Sequence, residues 1–284
     1  MRLPPAGNAG MTLVEVLLGM VVGLIALSGV YTVLTNQSRE YALHRETIDV
    51  GETLRGAALL LTSELQHTSA RRTDLYSIAP STISLRSFQT AGSFCAAASG
   101  SGPFGVWLAS GLFATGADDS ALVLRLTDQS WARAKVTQTW SNPGGGAPGG
   151  TSPCTWTGGG VPPRVVQIAP EAGNWAGIGV GSAMRGFRRT TYSLVPSGGK
   201  WWLGRKLGDP NAGSWELVTG PLRASPDGLL IQYYDAGGVV TTNPFNVARV
   251  TVTVKAESFG DVRGNGGARA TRKDSVSVTA YLRN

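Results

Sequence analysis

Few side chains in this chain are equipped for chemistry, and those that are stand far apart. The two histidines, His44 and His67, both fall in a stretch of helical periodicity. On one continuous helix they would be about 35 Å apart, at ~1.5 Å per residue, and could not share a site. Ser/His and Cys/His catalysis both need a histidine beside the nucleophile. No HExxH, no P-loop and no Gly-x-Ser-x-Gly elbow occurs. Asp118 and Asp119 lack the spacing of a calcium loop and fit a polar turn. Asp209 and Asp227 sit beside proline and glycine and fit turns too. These residues argue against an enzyme, and no cofactor or metal is expected.

Three other groups of residues are informative. Cys95 and Cys154 lie in stretches rich in Gly, Ala, Ser and Pro. In a domain outside the cytoplasm they would form one disulfide; inside it they would be two thiols. The disulfide would close a loop of about 60 residues, worth about 4 kcal/mol in the chain-entropy account. A second group is basic: Arg185, Arg188, Arg189, Lys200, Arg205 and Lys206, with Phe187, Tyr192, Trp201 and Trp202 between them. Cations interleaved with aromatics can grip a nucleic-acid strand. The same residues also fit a hairpin around Pro196–Gly199, with aromatics in the core and charges in water; the two are compatible. The third is a lone carboxylate, Glu15, near the start of an apolar run.

The elements that must position these groups fall into two kinds. Met11–Thr35 is apolar except for Thr12, Glu15, Ser28 and Thr32. As a helix it would extend about 38 Å, enough to cross a bilayer. From residue 36 to about 70 the chain turns polar but keeps an apolar stripe: Val50, Leu54, Ala57 or Ala58, Leu61 and Leu65. That spacing predicts an amphipathic continuation of the helix to about Thr68, packed on whatever follows. Residues 71–284 carry short alternating runs separated by turn residues, a β-rich domain. Predicted strands are Thr82–Phe88, Ala121–Thr127, Ala134–Trp140, Arg164–Ile168, Phe187–Val195, Lys200–Leu207, Leu229–Tyr234, Ala248–Ala256 and Ser275–Leu282. The last two would pair as a hairpin across Glu257–Asp274. Residues 142–160 form a Gly-rich loop. The chain has 39 glycines and a formal charge of +7, a weak pointer to an anionic partner. The fold class is therefore α+β: a long N-terminal helix on antiparallel sheet.

The N terminus admits three states. As a secretory signal it would be cut near Ala26–Ser28, but the apolar run continues past that point and Glu15 lies within it. As a plain anchor it would carry Glu15 at a cost of roughly 2.5–3.5 kcal/mol if the carboxylate lay deep in lipid. Cut after Gly10, the chain would instead begin at Met11 with a free ammonium. In a bundle of such helices, the Glu15 of one subunit would meet the amine of a neighbour and fix the axial register.

The stretch Gly10-Met11-Thr-Leu-Val-Glu15 resembles the prepilin-type motif of type IV pilins and type II secretion pseudopilins: Gly, an apolar residue, Ser or Thr, Leu, an apolar residue, Glu. The resemblance implies a leader over residues 1–10, cleavage between Gly10 and Met11 by a prepilin peptidase, and N-methylation of Met11. Met11 departs from the Phe that the family usually places there. GLIALSGV, RRTTYSLV (Arg188–Val195), GLLIQYYDAGG (Gly228–Gly238), VARVTVTV and the terminal LRN resemble the PilW/PulJ group of larger minor pilins and J-type minor pseudopilins. Residues Leu75–Gly160 carry no part of that resemblance. It implies a pilin-like fold, and a single-pass inner-membrane protein with its C-terminal domain outside the cytoplasm. It implies as partners a prepilin peptidase, other minor pilins or pseudopilins and the major pilin. The expected role is pilus assembly at the tip or at initiation, supporting motility, adhesion or uptake of DNA. The alternatives are a secretion pseudopilin and a membrane-anchored binding protein.

Overall fold

The computed structural model describes residues 12–70, 74–95, 104–111, 119–140, 154, 164–171, 175–209, 211, 213–263 and 269–283. The chain is α+β. Among the described residues one α-helix, α1 (Leu13–Gln66), precedes twelve strands: β1 (Leu75–Ala79), β2 (Thr82–Phe94), β3 (Phe104–Gly111), β4 (Asp119–Leu124), β5 (Trp131–Trp140), β6 (Val165–Pro170), β7 (Ala183–Ser197), β8 (Lys200–Leu207), β9 (Glu216–Leu222), β10 (Leu229–Tyr234), β11 (Arg249–Arg263) and β12 (Arg269–Tyr281). The chain divides into two compact units, Met1–Asp49 with Ser258–Arg272, and Val50–Glu257 with Lys273–Asn284.

In the first unit, α1 is exposed, and as far as Thr35 it is also largely apolar. An 18-residue window has a mean hydropathy of 2.4 and buries none of its residues, so the helix is long and apolar enough to cross a membrane. The end of the β11–β12 hairpin belongs to the same unit. There the Ser258 hydroxyl accepts from the Arg272 N–H at 2.8 Å and donates to the Gly260 carbonyl at 2.6 Å, closing the strand ends on each other.

The second unit has two apolar cores. The first lies beneath the rest of α1. Val50, Leu54, Ala57, Leu61 and Leu65, spaced three or four apart, are all buried and meet Ile83, Tyr192, Leu203, Ile231 and Val252 of the sheet. Each fully buried Leu or Ile contributes about 1.5–3 kcal/mol. Polar tethers fix the helix: the Thr53 hydroxyl donates to the Gly220 carbonyl at 3.1 Å, and the Tyr192 hydroxyl to Glu64 at 3.3 Å. On β11, Val250, Val252 and Val254 point into this core, as the alternation predicts. On the opposite face, Thr251 bonds Thr279 and Thr253 bonds Ser277 across the β11–β12 hairpin.

The second core was not visible in the sequence. Antiparallel pairings run β2–β3, β3–β6, β6–β5, β5–β4, β4–β7 and β7–β2. Six strands therefore close on themselves as a barrel, leaving no free edge within the ring. Alternate residues fill its interior: Phe94, Val106, Leu108, Ala121, Val123, Ala134, Val136, Val166, Ile168 and Met184. Trp175 completes the filling, edge-on to Phe94 (5.5 Å between ring centres) and to Phe104 (6.1 Å). β2 and β7 belong to both cores. A bulge between Phe88 and Thr90 re-aims β2, so Ile83 and Leu85 face the helix while Phe94 faces the barrel interior.

Several strand predictions need correction. Ala121–Thr127 shifts to Asp119–Leu124 because Leu126–Asp128 turn, and Thr82–Phe88 extends through the bulge to Phe94. β1, β3 and β9 were not predicted. The helix ends at Gln66 instead of about Thr68, whose hydroxyl turns back to the Glu64 carbonyl at 2.8 Å.

Candidate functional site

The residues singled out by the sequence lie in three places: the N terminus, the cysteine pair and the β7–β8 hairpin. At the N terminus, Gly10, Met11 and the leader 1–10 lie outside the described residues, as does the Gly-rich loop 142–160 apart from Cys154. Glu15 is described. Thr12 precedes the first helical residue, and its hydroxyl accepts from the Glu15 N–H at 3.3 Å. The Glu15 carboxylate reaches back to the Thr12 N–H at 3.4 Å. This is a capping box, Thr at N-cap and Glu at N3, with a long return bond. The Thr-x-x-Glu spacing was legible in the sequence and was overlooked beside the apolar run. Glu15 thus has a local role in starting α1 whatever else it meets.

Cys95 and Cys154 form a disulfide, with their Cα atoms 5.6 Å apart. The bond joins the end of β2 to the segment before β6 and packs with Val165 and Trp107. The loop it closes contains β3, β4 and β5, half of the barrel.

The six cations of the basic stretch lie on β7 and β8, which form the predicted hairpin with Ser197 opposite Lys200. Gly198 and Gly199 have φ of 59° and 75°, as a two-residue turn of this hand requires. The structure does not gather the six into one patch. Strand register places Arg188 and Arg205 on one face and Arg185, Arg189, Lys200 and Lys206 on the other. Most are already engaged. Lys200 pairs with Glu257 at 3.0 Å and Arg205 with Glu216 at 2.8 Å. The Glu216 hydrogen bond also holds the Arg205 pKa above its ordinary value. Lys206 is only 8 % exposed and lies over Trp215. Arg189 donates to Ser84 and lies over Tyr76, and Arg188 is also engaged within the fold. The predicted sorting of aromatics also needs correction. Tyr192 and Trp201 pack in the core under α1, but Phe187 lies on the other face, edge-on to Phe88. Burial, reinforced by Glu64, raises the Tyr192 phenol well above its ordinary pKa.

That other face carries a feature missed in the sequence. Arg86 and Asp74 form a buried ion pair at 2.8 Å. Asp74 also accepts from the Ser69 N–H at 3.0 Å. Arg86 stacks over both Tyr76 and Phe187, and His67 contacts Phe88. Beside this stack opens a cleft of about 620 Å³, lined by Phe88, Leu122, Trp131, Arg185, Phe187 and Arg283 among others. Arg185 lies over the Trp131 ring at 5.5 Å. A backbone bond from Arg283 N–H to the Thr68 carbonyl, 3.1 Å, anchors the end of the chain at this cleft. A second cleft of about 360 Å³ shares Leu122 and Trp131 and adds Arg133 and Gln129. The signal was the alternation Trp131-Ala-Arg133-Ala-Lys135-Val136, large or basic residues outward and small apolar residues inward.

Among the described residues no group of three or more His, Cys, Asp or Glu is placed to hold a metal ion. No family model, curated protein or solved structure matches this chain.

Proposed function

We propose that the chain is a minor subunit of a pilus-like filament, anchored in the inner membrane by α1 and processed between Gly10 and Met11. The observation that carries this is the helix itself. Its N-terminal part is apolar on all sides and exposed, while the part from Val50 onward is buried by its own sheet. A helix half-covered in this way needs lipid, or the apolar flanks of other helices, for the remainder. A membrane holds the subunit before assembly, and a bundle of like helices holds it afterwards. Prepilin peptidase, other minor subunits and the major pilin are the partners this requires. Glu15 serves as the docking carboxylate for the amine of a neighbouring Met11. The β-domain stands outside the cytoplasm, in keeping with the Cys95–Cys154 disulfide. It acts at the tip or at initiation of a type IV pilus.

Two measurements test this. Mass analysis of the mature chain should find methylated Met11 at its N terminus; any other terminus overturns the processing step. Cells lacking the chain should lose surface pili and regain them on complementation. Unchanged pili with a changed set of secreted proteins would transfer the subunit to a secretion pseudopilus.

A further inference from the structure

We propose that the outer face of the barrel binds single-stranded nucleic acid, along the track formed by the two clefts on either side of Trp131. Three observations converge. The larger cleft is cationic, lined by Arg185 and Arg283, while Arg133 of the smaller cleft is already engaged within the fold. Among the described residues the one acid lining the larger cleft, Asp74, is committed to the buried Arg86 and so does not cancel that charge. Beside these arginines stand aromatic rings, Phe88 at 38 % exposure and Trp131, which both clefts share and over which Arg185 lies.

The dimensions select the ligand. A single cleft of about 620 Å³ is of small-ligand size. Two clefts that share an aromatic, Trp131, suit a chain of repeating units, each with a flat group and a charge. Single-stranded nucleic acid has that repeat. Its bases stack on aromatic rings without regard to sequence, and its phosphates meet arginines. An acidic peptide supplies the charges but not the flat faces. This assignment differs from a grip by the β7–β8 stretch as a whole, since Lys200 and Arg205 are paired with carboxylates. It is also independent of the filament reading, because it is tested on the purified chain.

The test is fluorescence anisotropy of a labelled oligo-dT of about a dozen nucleotides with the full-length chain in neutral detergent micelles. Binding should weaken about sevenfold between about 50 and 200 mM salt, as expected if two phosphates are neutralised on a single strand. Arg185→Ala with Arg283→Ala should abolish that salt dependence and most of the binding, while Arg185→Lys with Arg283→Lys should retain both. Trp131→Ala should cost at least about fivefold through lost stacking. Lys200→Ala with Arg205→Ala should bind as the parent does. No binding by the parent chain, or parental binding by the Arg185→Ala, Arg283→Ala chain, overturns the proposal. Equal displacement by a poly-glutamate of the same charge also overturns it, and assigns the clefts to acidic peptides.

Discussion

The two parts of α1 are built from similar apolar residues and meet opposite fates. Between Leu13 and Leu34, leucines, valines and isoleucines occur on every side of the helix, and most are more than half exposed. From Val50 to Leu65 the apolar residues are fewer and, apart from the exposed Leu59, lie along one stripe that is buried against the sheet. The difference lies in arrangement, not in hydrophobic content. A stripe can be satisfied by one partner within the chain, whereas an all-round apolar surface needs an environment from outside it. The sharpest way to break this contrast is a matched pair of truncations. Leu61→Ala should destabilise the β-domain by about 2–5 kcal/mol, read as a lower denaturation midpoint in micelles. Leu24→Ala should leave that midpoint unchanged. A fall of similar size for Leu24→Ala would mean that the first part of the helix is packed within the fold after all.

The two cores of the second unit invite the next test. The core beneath α1 is held by a helix and polar tethers, and the barrel core by strand closure and the disulfide. Cys95→Ser with Cys154→Ser should cost about 2–4 kcal/mol, and the barrel should lose hydrogen-exchange protection before the helix stripe does. Simultaneous loss in both would show that the shared strands β2 and β7 make them one cooperative unit.

How much of this was legible follows from the range of each interaction. The stripe of α1, the alternation of Val250, Val252 and Val254, and the Gly198–Gly199 hairpin are local patterns, and they lie where expected. The barrel depends on β2 and β7 each pairing with three strands, which no local pattern encodes. The bulge after Phe88 also breaks the period-2 signal of β2, so only the first part of a 13-residue strand read as one. The candidate cleft was hidden for the same reason. Arg185 was named from its neighbours in sequence, while Phe88, Trp131 and Arg283 join it only through pairing and the course of the chain's end.

Glu15 separates the two parts of α1 at a finer scale, because it has both a local and a proposed intermolecular role. Glu15→Gln keeps a side chain able to complete the capping box with Thr12 but cannot form the ion pair with an amine. It should leave helix content unchanged and abolish incorporation into filaments. Glu15→Ala should lose both, at about 0.5–2 kcal/mol for the cap. Normal incorporation of the Gln chain would reduce Glu15 to a helix cap.

The smallest expected effect concerns acid. Asp227, in the turn before β10, accepts from Lys255 and pairs with Arg223 at 2.7 Å. The Lys255 hydrogen bond, helped by the nearby charges of Arg223, Lys255 and Lys273, holds its pKa below the ordinary 3.8. The folded state therefore binds fewer protons at this group than the unfolded state does. Its contribution to stability is complete above pH 3.8 and is lost as pH falls through the lowered value. Both partners are partly open to water, so added salt should weaken the contribution. Asp227→Asn should accordingly flatten the acid limb of the stability curve below about pH 4 and leave the neutral region almost unaltered. An unchanged acid limb would pass the effect to another carboxylate. Asp128, whose pKa is lowered by the Ser130 N–H and hydroxyl, is the next to substitute.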